Sequence, residues 1–217
     1  MLPIGDDNRA RRTFPFVTYL LIAVNLLVFF LELAGGDAFI NYWSFIPARL
    51  TQDPGIGFLS IFTSMFMHAG WMHLLGNMLY LGIFGDNVED RMGHIRFLFF
   101  YLLCGVAATF AQYIFMSNSS IPNLGASGAI AGVLGSYLLL FPRGRVYMLI
   151  LRSVTPVPAW VALGFWIVIQ LISGAGSLAN AGASGGVAYM AHIGGFFAGL
   201  LFTLPFRQRY RYLPPQI

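Results

Sequence analysis

The sequence predicts an all-α, polytopic membrane protein, a bundle of six transmembrane helices with both termini cytoplasmic. Three observations carry this. First, 58% of the 217 residues are hydrophobic and only 9% are charged, against about 25% charged in a typical soluble domain. Second, the charges are gathered into short clusters that leave long apolar runs. Third, those clusters fall on alternate loops. The composition excludes an ordinary water-soluble enzyme and a disordered chain. The formal charge of +4 comes with twelve basic residues, all Arg and scattered in twos and threes. No basic stripe marks a nucleic-acid surface. The single Cys, Cys104, excludes an internal disulfide and a multi-thiolate metal site.

Residues 1–13 are polar and read as a cytoplasmic segment, without the hydrophobic core of a secretory signal. The spans occupy 14–206, and 207–217 reads as a cytoplasmic tail. Phe14 to Leu31 is a charge-free run of 18 residues and forms span 1. Gly35 to Gly57 follows, with Phe39, Ile40, Tyr42, Trp43, Phe45 and Ile46 among few charges. It reads as a hairpin or short helices lying in the outer leaflet. Gly55 to Gly85 runs for 31 residues. That is too long for one upright helix. His68-Ala69-Gly70 divides an entering loop from span 2, about Met72 to Asp86.

Phe97 to Pro142, 46 residues, holds spans 3 and 4 around the turn Ser117-Asn118-Ser119-Ser120-Ile121-Pro122-Asn123. Ser153 to Phe206, 54 residues, holds spans 5 and 6 around Ser173–Gly186, a segment of Gly, Ala and Ser that reads as a flexible loop. Eleven of the twelve Arg lie before span 1, between spans 2 and 3, between spans 4 and 5, and after span 6. Only Arg49 falls opposite. The positive-inside rule then puts both termini in the cytoplasm.

Ionisable groups within a bilayer are expensive and are functional candidates by default. His68, His73 and His192 lie in or at the ends of spans, with Asn77 one turn after His73. Glu32, at the outer end of span 1, is expected to reach the interface. His94, beside Arg96 and Asp90, is expected to be solvated. Ser127 stands in Gly125-Ala126-Ser127-Gly128-Ala129-Ile130-Ala131-Gly132, a pattern that by itself more often means close helix packing than chemistry.

Depth changes that balance. Ser127 lies 14 residues before Phe141, and His192 lies 14 before Phe206, each ~21 Å from the cytoplasmic end of its helix. His73, 12 residues before Gly85, sits at ~18 Å. Three polar side chains on three spans therefore share one layer, and span 4 is expected to begin at Ser127, below the membrane surface. Ala131 and Gly135 on span 4, and Ala191, Gly195 and Gly199 on span 6, allow close approach. Ser127 and His192 within ~2.6–3.2 Å form a nucleophile and a base. With no Asp or Glu in mid-span to orient His192, the pair is expected to be a dyad. Asn77, His73 and the Ser127 backbone N–H are the candidate oxyanion donors.

These residues resemble the rhomboid intramembrane serine proteases. The resemblance rests on His73-x-x-x-Asn77 in span 2, Gly125-x-Ser127-Gly128 opening span 4, and Ala191-His192-x-x-Gly195-x-x-x-Gly199 in span 6, in that order. Val88-Glu89-Asp90-Arg91 is also similar to the family. One departure is that Trp43 is followed by Ser44, where many members carry a Trp-Arg pair; the nearest Arg is Arg49. The resemblance implies the minimal six-span form of the fold. It also implies an intramembrane endopeptidase in which Ser127 and His192 are catalytic and His73 and Asn77 bind the oxyanion. Single-pass membrane proteins are the implied substrates, entering between spans 2 and 5. His68 matches a further family histidine, and its expected role is a structural hydrogen bond to the first loop. Gly125, Gly128, Gly195 and Gly199 are expected to support the site.

Trp160, Phe165 and Trp166 on span 5 are gate candidates or plain lipid-facing and core aromatics. No metal or cofactor is expected. The competing classes are a proton-coupled transporter, against which stand the lack of a sequence repeat and of a mid-span acidic relay, and a catalytically inactive rhomboid-like protein that binds membrane clients. Inactive members typically lack the serine or the histidine, and both are present here.

Overall fold

Apolar sequence free of charge from Phe14 onward starts the first helix, α1 (Phe16–Trp43). It runs well past Leu31, because nothing in Glu32–Ala34 opposes helix. It kinks at Gly36, whose φ of 59° is accessible to glycine without strain. The structure, a computed structural model, describes residues 2–9, 11–179 and 187–206. After α1 come α2 (Arg49–Gln52) and α3 (Pro54–Thr63), the latter with Pro54 in its first turn and the Asp53 side chain accepting from the Ile56 N–H. The segment Gly35–Gly57 is thus helical, as the second of its two sequence readings has it.

A 3₁₀ turn, Ser64–Phe66, and a 76° bend separate α3 from α4 (Trp71–Met92). The break falls at His68–Gly70, as expected. The helix does not stop at Asp86. Asp86, Asn87, Glu89 and Asp90 are all buried, and each finds a partner in the chain start. Arg11 pairs with Asp86 at 2.5 Å. The Arg12 and Thr13 N–H groups donate to Asp90 at 3.0 and 2.8 Å. Glu89 accepts from the Val17 and Thr18 N–H groups at 2.8 and 2.7 Å, and from the Thr18 hydroxyl. Its carboxylate therefore satisfies orphan donors at the start of α1. His94 is not simply solvated: its Nδ1 lies 2.5 Å from Glu89 Oε1.

Only Gly93, at φ 80°, separates α4 from α5 (His94–Met116). The predicted turn follows, tied to the first loop by an isolated bridge between Phe45 and Asn123. Then come α6 (Ser127–Leu140), α7 (Ala159–Ala179) and α8 (Tyr189–Phe206). α6 begins at Ser127, as expected. α7 carries helix through Ser173–Ala179, half of the expected loop, because Gly174 packs against Met190 and Ile193 of α8. Residues 180–186 and the tail 207–217 lie outside the described residues.

The all-α expectation fails between α6 and α7. β2 (Arg145–Ile150) and β3 (Ser153–Pro158) form a hairpin, and β1 (Leu2–Asp6) adds a third antiparallel strand in the order β1-β2-β3. Residues 1–13 are thus partly strand. The reason is visible in β2, where Val146 and Met148 are buried with period two and join the helical core. A search for long apolar runs passes over a six-residue strand.

Among the described residues, four helices can cross a membrane by length and composition: Phe16–Trp43, His94–Met116, Ala159–Leu178 and Tyr189–Phe206. A fifth is added if the bent pair Pro54–Phe66 and Trp71–Met92 is one span. α6 has only 14 residues, and all from Gly128 to Tyr137 are buried. It is sheathed by α4, α5 and α8.

Candidate active site

Gly125 turns the chain into α6. Its φ of 139° suits glycine, and its N–H donates to Ser64 O at 2.9 Å. Ser127 is the first residue of α6, and His192 lies in the first turn of α8. These helices meet backbone to backbone: a Cβ on Gly195 would strike Gly128 O, and one on Gly199 would strike Gly132 O. A Cβ on Gly135, a residue of the expected stripe, would likewise strike Phe196 O of α8, so the α6 contact line runs through Gly128, Gly132 and Gly135 and leaves the Ser127 side chain beside it, facing the histidine.

The Ser127 hydroxyl is 2.8 Å from His192 Nε2. On the other side of the ring, His192 Nδ1 is 2.8 Å from Gln170 Oε1 of α7. The Trp166 ring lies 5.9 Å from the imidazole, tilted by 35°, and the Tyr189 ring stands edge-on at 6.5 Å. Trp166 also packs on Phe196, so it faces inward, whereas Trp160 and Phe165 are exposed.

His73 approaches from α4. The Ala69 N–H donates to its Nδ1 at 3.3 Å, which aims the far side of the ring at Gly125. A methyl placed on Gly125 would sit 3.1 Å from His73 Nε2 and 3.5 Å from Ser127 Oγ, so the imidazole and the hydroxyl border the same small space. Asn77 is 7% exposed, and its Nδ2 has no hydrogen-bond partner among the described residues.

His68 behaves differently from expectation. Its backbone N–H, not its ring, makes the anchoring contact, donating to both oxygens of Glu32 at 3.0 and 3.1 Å. Glu32 is 3% exposed and does not reach an interface. Neither ring nitrogen of His68 has hydrogen-bond geometry with a described residue, and the ring stands edge-on to His73 at 5.1 Å. The backbone link thus runs to Glu32 of α1.

A small pocket of about 40 Å³ flanks Ser127, with Gly125, Ser64, Thr109, Gln112 and Asn123 among its lining. Among the described residues no three His, Cys, Asp or Glu side chains are grouped to hold a metal ion. Sequence reasoning missed Gln170. A search restricted to ionisable groups passes over an amide, although a lone Gln within Trp166-Ile167-Val168-Ile169-Gln170-Leu171-Ile172 is itself a signal.

Comparison with known proteins finds relatives over most of the chain. The Rhomboid domain family model matches residues 57–209. Rhomboid protease GluP of Bacillus subtilis is 34% identical over 196 residues, 88% of this chain and 36% of that protein. Rhomboid protein 1, mitochondrial, of Saccharomyces cerevisiae is 33% identical over 195 residues, 86% of this chain and 52% of its own. RHOMBOID-like protein 1 of Arabidopsis thaliana is 32% identical over 153 residues, 70% of this chain and 35% of its own. The chain spans about a third to a half of the length of these curated relatives.

Proposed function

The chain belongs to the rhomboid family and is a multi-pass integral membrane protein, and from that footing we propose that it is an intramembrane serine endopeptidase acting through Ser127 and His192. The observation that carries the reading is the 2.8 Å approach of the Ser127 hydroxyl to His192 Nε2. Two helices hold these groups together through direct backbone contact at Gly128 and Gly195.

Ser127 Oγ attacks the scissile carbonyl carbon while His192 Nε2 takes the hydroxyl proton. The tetrahedral intermediate collapses as that proton passes to the leaving amine nitrogen, leaving an ester on Ser127. Water then repeats the sequence and releases the acid. The polar lining from Gln112, Thr109 and Ser64 gives such a water hydrogen-bond partners beside the serine. Asn77 Nδ2, His73 Nε2 and the Ser127 N–H at the helix start serve the oxyanion, each worth about 3–4 kcal/mol in the transition state. The unpaired Asn77 donor fits that role, since a buried amide without a partner calls for an explanation.

The substrates are single-pass membrane helices. They enter between α4 and α7, which have no extensive packing against one another. The bundle has six spans, with α6 as the short central one. The sheet and both termini lie on the cytoplasmic side of a membrane, the inner membrane in a bacterial cell, and the site opens to the other side. Lipid is the surrounding partner; neither cofactor, metal nor nucleic acid enters the chemistry.

The test is incubation of the purified chain with a single-pass membrane substrate beside Ser127→Ala and His192→Ala. Both variants lose cleavage while keeping the wild-type unfolding temperature, and a fluorophosphonate labels Ser127 only when His192 is present. Cleavage by a clean Ser127→Ala preparation overturns the reading.

A further inference from the structure

We infer that Gln170 is a positioning residue that sets the tautomer and orientation of His192, so that the serine–histidine dyad is held in its working form by a neutral amide. This rests on the protease reading of Ser127 and His192. A neutral imidazole carries one N–H. To take the serine proton at Nε2, it must carry that hydrogen on Nδ1. The Gln170 carbonyl oxygen stands 2.8 Å from Nδ1, so Nδ1–H donates to it, and the Nε2 lone pair is left facing the Ser127 hydroxyl at 2.8 Å. A donor in place of that oxygen would move the hydrogen to Nε2 and block the base. Gln170 is 8% exposed, so water competes little for the bond.

The same helix face supplies the second constraint. Trp166 lies four residues before Gln170, so both side chains share one stripe of α7. One lies against the imidazole face at 5.9 Å and the other holds its edge. The titratable side chains that face His192 are His73 of α4 and Tyr189 of α8. α6 and α7 present Ser127, Trp166 and Gln170, which carry no charge. A carboxylate in the place of Gln170 would bring an unpaired charge into an apolar layer. The amide offers an oxygen without that cost. When Nε2 takes the serine proton, the ring becomes cationic, and the carbonyl dipole at Nδ1–H favours that form. The proton then leaves Nε2 for the amine, and Nδ1–H stays with Gln170 throughout.

The experiment compares wild type, Gln170→Leu and Gln170→Glu in proteoliposomes with a single-pass membrane substrate, following kcat, KM and the pH profile. Gln170→Leu keeps similar volume and removes the acceptor, so kcat falls on the order of ten- to a hundredfold while KM is unchanged. Gln170→Glu keeps an acceptor, recovers most of the lost rate, and moves the acid limb of the kcat profile up by about one unit, because a carboxylate favours the imidazolium. Wild-type kcat in folded Gln170→Leu overturns the inference. If the Leu variant does not fold, the Glu variant decides alone, and an unshifted acid limb overturns it. Wild type indistinguishable from Ser127→Ala would instead remove the protease reading itself.

Discussion

Asn77 and Asp6 are two buried polar groups with opposite consequences. Asn77 Nδ2 has no partner among the described residues, and a buried unsatisfied donor costs about 1–3 kcal/mol. If it waits for the oxyanion, Asn77→Ala lowers turnover tenfold to a thousandfold on the order expected for one donor, with little change in unfolding temperature. His73→Ala costs at least as much, and the double variant is less than additive because both donors serve one oxygen. Kinetics on a membrane-embedded substrate, beside thermal unfolding, check this; full turnover in the double variant returns both residues to packing. Asp6, at the end of β1, is pushed by burial from 3.8 up to about 6, against hydrogen bonds from Tyr137 and Asn87. Its folded value lies above its unfolded one, so the fold favours the protonated form. That contribution to stability is fully present below about pH 4 and is lost as pH rises through about 6. The protection factors of the β1 amides, which correct for the base-catalysed rise of intrinsic exchange with pH, are therefore larger at pH 5 than at pH 8, and Asp6→Asn flattens the difference. A pH-independent protection factor in the wild type would contradict it.

At the scale of elements, α6 and α8 decide whether the site exists. Gly195 and Gly199 face backbone oxygens of α6, which cannot swing aside as a side chain can. Gly195→Val should cost about 1–3 kcal/mol through overpacking, and it should lower activity and unfolding temperature together, unlike Ser127→Ala. Gly164→Ala is the control: open space surrounds Gly164, and alanine in place of glycine in a helix gains about 0.5–1 kcal/mol. Equal unfolding temperatures in the two variants would show that the α6–α8 contact does not carry the packing. The 14-residue length of α6 has the same origin. A helix enclosed by α4, α5 and α8 meets protein instead of lipid, so it needs no full membrane length to satisfy its surface.

For the whole molecule, the prediction concerns which way it faces. The proposed orientation has the β1–β2–β3 sheet inside and the Ser117–Asn123 turn outside. The native Cys104 is fully buried, so single cysteines can be introduced without an accessible background thiol. A cysteine at Arg145 reacts with an impermeant maleimide only from the cytoplasmic face, and one at Asn118 only from the opposite face. The reverse pattern would invert the molecule and place the entrance to Ser127 on the cytoplasmic side. The docked chain start adds a link across the fold, since Arg11, Thr13, Val17 and Thr18 all hold the polar end of α4.

Charge-free runs and a fixed rise per residue measure depth along the membrane normal. Depth is what the sequence by itself determined here: the membrane class, the break at His68–Gly70, the start of α6 at Ser127, and the common layer of Ser127, His73 and His192. The rest depends on rotation about each helix axis and on which neighbour each face meets. Tertiary packing alone brought Gln170 to His192, turned Trp166 inward, set Gly128 and Gly132 beside Gly135 on the α6 contact line, and buried Glu32 and Glu89 against backbone N–H groups. It also paired β1 with β2 across more than a hundred residues of sequence. None of these follows from hydropathy, because a helix of apolar residues can turn any face to its partner at nearly equal cost. The choice falls to the close approach of glycines and to the few polar groups that must find partners away from water.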